Sequence, residues 1–360
     1  MIAVMDDRRI NRLLMVSLAL QACGARRVDL DSPAIVEPSS EPGVVAIVHE
    51  RVVRLAIDDE RLYWVGARGF VPGGPTPKNV LRSCKKRDCS ATLVTYTEDV
   101  TGYGNFAVRG GQAYWDSNPG LLACPIAGCN GPPRTVATEG DFKFAAFDDD
   151  RVYSLLANSI ASWSLLQPGP PQPIAPTAGF RFAIALQGAY AFWLATDGDE
   201  TQVWRARKDS SLAVEVIASD VRHAGRNHFG FITDSTYVYW TNSTLVGSIN
   251  RCPLAGCTGA SETVLGQVRA PQQLLLDGST LYYVYDAGDY QFTLASCALP
   301  ACISPRTVLK NLNAPAALAV DDQYLYLATT ETDTDTNPES VPQDPVAGIR
   351  RLRKTEQGLP

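Results

Sequence analysis

The chain has 360 residues, 45% apolar and 19% charged, a globular composition that excludes a disordered chain. Net charge is −6 and no Lys/Arg run longer than Lys85-Lys86-Arg87 occurs, which argues against a dedicated nucleic-acid surface. With 24 Pro and 28 Gly but only three Met and three His, the composition suits a turn-rich all-β fold better than a helical bundle.

Arg8, Arg9 and Arg12 precede a short apolar stretch, Leu13–Leu20, followed by Gln21-Ala22-Cys23-Gly24. A charged start, a brief apolar core and small residues at the cut describe an export signal over residues 1–22. The stretch is too short to span a bilayer, which takes about 20 residues. The Leu-x-Ala-Cys ending resembles the lipobox of bacterial lipoproteins. That resemblance implies lipidation at Cys23 and a lipid-anchored protein of the bacterial cell envelope, at the outer membrane. Ordinary secretion with a free N-terminal cysteine is the alternative. Residues 23–43, with Pro33, Pro38, Ser39, Ser40 and Pro42, read as a flexible tether.

From residue 44 onward one pattern recurs. An apolar segment ends in a polar turn and an aromatic-rich strand follows, as in Leu55–Trp64, Phe106–Trp115, Ala145–Tyr153, Ile184–Trp193, Phe231–Trp240, Leu274–Tyr282 and Leu318–Tyr326. The aromatic anchors at 63, 114, 153, 192, 239, 282 and 326 are spaced by 51, 39, 39, 47, 43 and 44 residues. Seven units of this period predict a seven-bladed β-propeller over residues 44–360, with four antiparallel strands per blade. In the sixth unit the strands are expected at Gln272–Leu276, Thr280–Tyr285, Gln291–Cys297 and Thr307–Leu309. Small residues on the innermost strands, Ala56, Ala107, Ala145, Ala183 and Ala319, suit the crowded ring around the axis. The seventh unit supplies three strands, the last at Ile349–Leu352. Its missing outer strand is expected from Val44–Val48, which would leave no open edge between first and last blades.

Eight of the nine cysteines form four pairs of identical C-x4-C spacing: Cys84/Cys89, Cys124/Cys129, Cys252/Cys257 and Cys297/Cys302. Outside the cytosol an even set implies disulfides, and a repeated local spacing favours pairing within each unit. Residues flanking a four-residue hairpin loop face each other at a span a disulfide can bridge. Zinc is the competing use of these cysteines. It needs four ligands around one point, and no histidine lies near any pair in sequence.

In such a ring the first-to-second and third-to-fourth strand turns share one face, which would carry the cysteine turns and the Asp58-Asp59, Asp148–Asp150 and Asp321-Asp322 turns. The opposite face would carry the variable loops, two of them long: 66–79, with Arg68, Phe70 and Lys78, and 329–347, with Glu331, Asp333, Asp335, Glu339 and Asp344. Ring closure would make them neighbours. Loop 219–230 holds Arg222, His223, Arg226 and His228, and Tyr103, Phe142, Phe180 and Phe229 precede inner strands. Together these residues form the expected binding face for a protein or glycan partner, through charge and stacking. The same aromatics serve equally to pack blade on blade. The enzymatic alternative, a lactonase- or lyase-like centre, would draw on Glu50, Asn105, Asp141, Asn227 and Asn313, whose oxygens could hold calcium, with Asp141 as the candidate ligand. No other cofactor is expected. No Ser/His/Asp or paired-acid spacing stands out, and the middles of the inner strands read as nearly free of charge.

Val238-Tyr239-Trp240-Thr241-Asn242, followed by Ser248–Arg251 and Thr263–Leu265, is similar to the YWTD repeats of low-density lipoprotein receptor β-propellers. Leu62-Tyr63-Trp64 and Ala113–Asp116 echo the same core. The resemblance implies the propeller over about residues 44–354. It does not carry the receptors' ligand binding, because the C-x4-C hairpin is not a receptor feature.

Overall fold

The computed structural model describes residues 36–37, 43–48, 50–67, 79–101, 105–117, 120–156, 158–177, 180–197, 200–221, 230–288, 291–312, 315–331 and 346–354. They form seven antiparallel sheets. Before the first sheet come β1 (Val36–Glu37) and β2 (Val44–Val48). Blade 1 is β3 (Arg51–Ile57), β4 (Arg61–Ala67), β5 (Asn79–Lys85) and β6 (Val94–Val100). Blade 2 is β7 (Phe106–Arg109), β8 (Gln112–Asp116), β9 (Leu121–Pro125) and β10 (Arg134–Ala137). Blade 3 is β11 (Asp141–Phe147), β12 (Arg151–Leu156), β13 (Ser159–Ser164) and β14 (Gln172–Pro176). Blade 4 is β15 (Phe180–Gln187), β16 (Tyr190–Asp197), β17 (Glu200–Arg207) and β18 (Val214–Val221). Blade 5 is β19 (Phe231–Thr233), β20 (Tyr237–Asn242), β21 (Gly247–Pro253) and β22 (Glu262–Val268). Blade 6 is β23 (Leu274–Asp277), β24 (Thr280–Gly288), β25 (Gln291–Ala298) and β26 (Arg306–Leu312). Blade 7 is β27 (Pro315–Val320), β28 (Tyr324–Glu331) and β29 (Val346–Arg353).

The seventh sheet runs β1-β2-β29-β28-β27, so the strand at 44–48 closes the last blade as expected. Val36 and Glu37, read from the sequence as tether, add a short outermost strand opposite Val48 and Ile47.

The protein has seven cores rather than one. Each buried apolar cluster lies in one seam between neighbouring blades. Strand alternation explains this, because successive side chains point to opposite faces of a sheet that is covered on both sides. Tyr63 packs into the seam with blade 2 and Trp64 into the seam with blade 7. Tyr239 and Trp240 divide in the same way between blades 6 and 4. All seven anchors are 4% exposed or less. In five blades they stand opposite an alanine of the innermost strand: Ala56, Ala107, Ala146, Ala185 and Ala319. Ala145 and Ala183, expected on the innermost strands, lie on β11 and β15 beside these partners.

The repeated aspartate has a specific task. Asp58 Oδ1 accepts the amides of Glu60 and Arg61, and Oδ2 accepts the Tyr63 hydroxyl at 2.6 Å. Asp234 and Asp321 repeat the arrangement with Tyr239 and Tyr326. One carboxylate thus holds the tight turn and satisfies the phenol of the buried anchor. Burial and the neighbouring Asp58 carboxylate both push the Tyr63 hydroxyl above its ordinary range, so it stays a donor.

The four predicted disulfides are present. Cys84 is bonded to Cys89, Cys124 to Cys129, Cys252 to Cys257 and Cys297 to Cys302, with Cα–Cα distances of 4.7, 5.3, 5.3 and 5.0 Å. Each bridge lies within one blade, in the turn after the third strand. Each also packs against the preceding blade: Cys84 and Cys89 in the 7/1 seam, Cys124 and Cys129 in the 1/2 seam, Cys252 and Cys257 in the 4/5 seam, Cys297 and Cys302 in the 5/6 seam. A backbone bond ties the same turn to the first turn of its blade in all seven units. Lys86, Ile126, Leu165, Lys208, Leu254, Leu299 and Lys354 donate to the carbonyls of Glu60, Gly111, Asp150, Ala189, Thr236, Ser279 and Gln323, at 2.8–3.0 Å.

Candidate functional site on the loop face

The antiparallel strands put two kinds of connection on opposite faces. First-to-second turns are two or three residues long in every blade. Connections on the other face vary from two residues, as between β12 and β13, to 11 between β4 and β5 and 14 between β28 and β29. Blades 1 and 7 are neighbours through their shared buried cluster, so these two longest connections belong to adjacent blades, as expected.

Several expected site residues lie outside the described residues: Cys23, Arg68, Phe70, Tyr103, Arg222, His223, Arg226, Asn227, His228, Phe229 and Asn313. So do Lys78 and the acidic residues between 332 and 345. Phe180 opens β15 opposite Thr196, and its side chain is likewise outside them. Phe142 does not belong to an aromatic mouth. It is fully buried with its ring 5.0 Å from Trp163, so it packs blade 3 and offers no stacking surface. The bridges Cys84–Cys89, Cys124–Cys129, Cys252–Cys257 and Cys297–Cys302 all lie on the short-turn face, away from these loops. Their role is structural, and with the thiols consumed they hold no zinc.

Glu50 is also interior. Its carboxylate takes the Trp64 indole N–H at 2.8 Å and Arg82 Nη1 at 2.6 Å, and both ion-pair side chains are at most 1% exposed. A Cβ on Gly66 would fall 2.1 Å from Glu50 Cδ, so glycine there makes the space. The pair occupies the seam where the ring closes. Asn105 is a structural link as well: its Nδ2 donates to the Phe142 and Ala145 carbonyls at 2.7 and 3.2 Å, joining blade 2 to blade 3.

A polar group remains between blades 2 and 3. Asp116, at the end of β8, is 5% exposed. Its amide donates to the Asn105 carbonyl and its carbonyl accepts the Thr101 amide. Burial and the nearby Asp141 carboxylate push its carboxyl up to about 7, against the smaller pull of Lys143 and Thr101. Asp141, the expected calcium ligand, opens β11 with Lys143 Nζ 3.4 Å from its Oδ2. Among the described residues no three His, Cys, Asp or Glu side chains converge as a metal site.

Sequence reasoning missed Asp116, Lys143 and Arg54, an exposed arginine on the innermost strand of blade 1. It took the inner strands as nearly free of charge in their middles. The cue was local: Arg54 abuts the register shift of β3 and Lys143 stands within that of β11, where a bulge re-aims side chains.

No protein-family model matches the sequence, and no curated protein matches it. Solved structures match through the fold. The WD40 β-propeller domain of Doa1 is 12% identical, with a TM-score of 0.56 over 88% of this chain and 98% of that one. The β-propeller domain of the Trilobed protease from Pyrococcus furiosus, described as having an open velcro topology, is 7% identical. Its TM-score is 0.57 over 86% of this chain and 99% of that one. The chain is a seven-bladed β-propeller. At these identities the likeness extends to the fold and no further.

Proposed function

We propose that this chain is an exported, lipid-anchored envelope propeller whose loop face binds a protein or glycan partner as a non-catalytic module. The observation that carries the reading is the asymmetry of the ring. One face is uniform, with first-to-second turns of two or three residues, third-to-fourth turns of six to eight, four disulfides and the sevenfold turn-to-turn bond. The other bears connections of 2–14 residues on the same rigid frame. A rigid scaffold with variable connections on one side is how proteins present recognition surfaces. Four disulfides are what an exported protein carries.

The YWTD-like reading belongs to the same proposal. The tyrosine and tryptophan of the motif serve opposite seams, as Tyr239 and Trp240 do. The lipid anchor would sit at Cys23, after a signal at residues 1–22 and at the start of a tether. Thirteen residues from Cys23 to Val36 span at most about 45 Å. Val36 stands opposite Val48, at the loop-face end of blade 7. The alternative, an envelope enzyme with calcium at the mouth, draws on Asp116 and Asp141.

Fractionation tests the anchor: the full chain should sediment with membranes and Cys23→Ser should become soluble. Soluble wild type would remove the anchor from the reading. Capture of envelope proteins and glycans on the immobilised chain tests the module. Arg222→Glu/Arg226→Glu should abolish capture, and undiminished capture would move the binding site away from loop 219–230.

A further inference from the structure

Arg54 lies on β3, the innermost strand of its sheet, and the chain is out of register with β4 between Val52 and Arg54. Val52 and Leu55 beside it are buried in the seam with blade 7. Arg54 itself is exposed to solvent. Protein nonetheless surrounds it closely enough that loss of hydration holds its guanidinium below the ordinary arginine range. A group enclosed by protein yet wet, on the inner strand of a ring, faces the central channel.

Arg54 also has no hydrogen bond or ion pair with any described residue, and no carboxylate perturbs it. The nearest candidate in sequence, Glu50, is committed to Arg82 and Trp64. Five other arginines of the ring are paired with carboxylates: Arg82 with Glu50, Arg205 with Glu215, Arg207 with Asp209, Arg251 with Glu262 and Arg269 with Asp286. A guanidinium stripped of part of its water and given no counter-charge favours an anion, which it can grip through two parallel N–H bonds. The inner strands repeat the device. Their register shifts in blades 1 and 3 abut Arg54 and bracket Lys143. Lys143 is balanced by Asp141, whereas Arg54 is balanced by nothing described.

The geometry points to Arg54 as the anchor of an anion-binding site inside the ring, for a carboxylate or phosphate-type oxyanion. It deepens the binding-module reading by naming the chemistry of the ligand. Two sources share that chemistry: a free small anion, and an acidic sugar of a glycan.

Titration calorimetry of the full, oxidised chain at low ionic strength, with inorganic phosphate and separately with trigalacturonate, tests it. At least one probe should bind saturably. Arg54→Gln should weaken that binding at least tenfold, whereas Arg207→Gln, on the third strand of blade 4 and paired with Asp209, should leave it unchanged. Binding of phosphate alone assigns the free anion, and tighter binding of the sugar assigns the glycan. Because Arg54 makes no bond, Arg54→Gln should melt like wild type. No saturable binding of either probe, undiminished binding by Arg54→Gln, or equal loss in Arg207→Gln overturns the site. Envelope capture is measured apart, so it can persist when anion binding fails.

Discussion

Lys86 reaches across the closure seam to Asp321: its Nζ stands 2.7 Å from Oδ2 and 5.1 Å over the ring of Tyr326. The two residues are 235 apart in sequence and adjacent in space because blade 1 meets blade 7. Lys208–Asp148 and Lys354–Asp277 repeat the contact at the seams of blades 3/4 and 6/7, at 3.0 and 2.6 Å. Where Ile126, Leu254 or Leu299 stands at the lysine's position, it packs into the corresponding seam instead.

Lys86→Met should therefore destabilise the ring at neutral pH by about 1 kcal/mol, the scale of a partly exposed pair. The effect is pH-dependent. Burial acts to raise the Asp321 carboxyl, but Lys86, the amides of Tyr324 and Gln323 and the Tyr326 hydroxyl together hold it below the ordinary range. Its stabilisation is present above the unfolded pKa of about 4 and disappears as pH falls through the lower folded value. Denaturant melts of wild type and variant should differ at pH 7 and converge in acid. A gap that persists unchanged below the folded value would assign the effect to packing alone.

The Glu50–Arg82 pair should be far more costly to break. Glu50→Gln leaves Arg82 buried with its charge uncompensated, a loss on the order of 3–5 kcal/mol. Glu50→Gln/Arg82→Met removes both charges and should recover part of that loss. Gly66→Ala should be destabilising for a steric reason, because its new methyl would meet Glu50. Equilibrium unfolding of the four proteins checks this, and a neutral Gly66→Ala would show that Glu50 is not held against β4.

Asp116 predicts the opposite pH trend from Asp321. Its folded pKa of about 7 lies above the unfolded one, so the folded state holds the proton longer. Stability contributed by Asp116 is thus full in acid, declines as pH rises from about 4, and is gone above about 7. The decline amounts to a few kcal/mol. Asp116→Asn should abolish that slope, measured as the difference in melting temperature between the two proteins across pH 4–8. Parallel curves would mean that Asp116 ionises normally.

The fold was largely legible in the sequence because its signals are repeated. The anchors Tyr63 to Tyr326 recur once per blade, and the C-x4-C pairs recur in four. Repetition separates a pattern from chance, and closure by Val44–Val48 followed from counting strands in the seventh unit. Pairing of Cys89, Cys129, Cys257 and Cys302 with the cysteine five residues earlier was legible for the same reason. That each bridge also packs against the preceding blade was not, because spacing along one strand says nothing of the neighbouring sheet. The loop face was less legible because its residues do not repeat. Glu50 and Phe142 read as mouth residues from position alone, but burial commits both to seams. Arg54 and Asp116 went unread because bulges and blade contacts, not sequence spacing, decide where they point.

Closure of the ring by β2 is tested most directly by cross-linking at its observed register. Val44 stands opposite Arg350. Val44→Cys/Arg350→Cys, oxidised and mapped by non-reducing peptide mass spectrometry, should show a link between positions 44 and 350. The links Cys84–Cys89, Cys124–Cys129, Cys252–Cys257 and Cys297–Cys302 should appear beside it unchanged. Free thiols at 44 and 350 in protein whose four other links are intact would contradict the account.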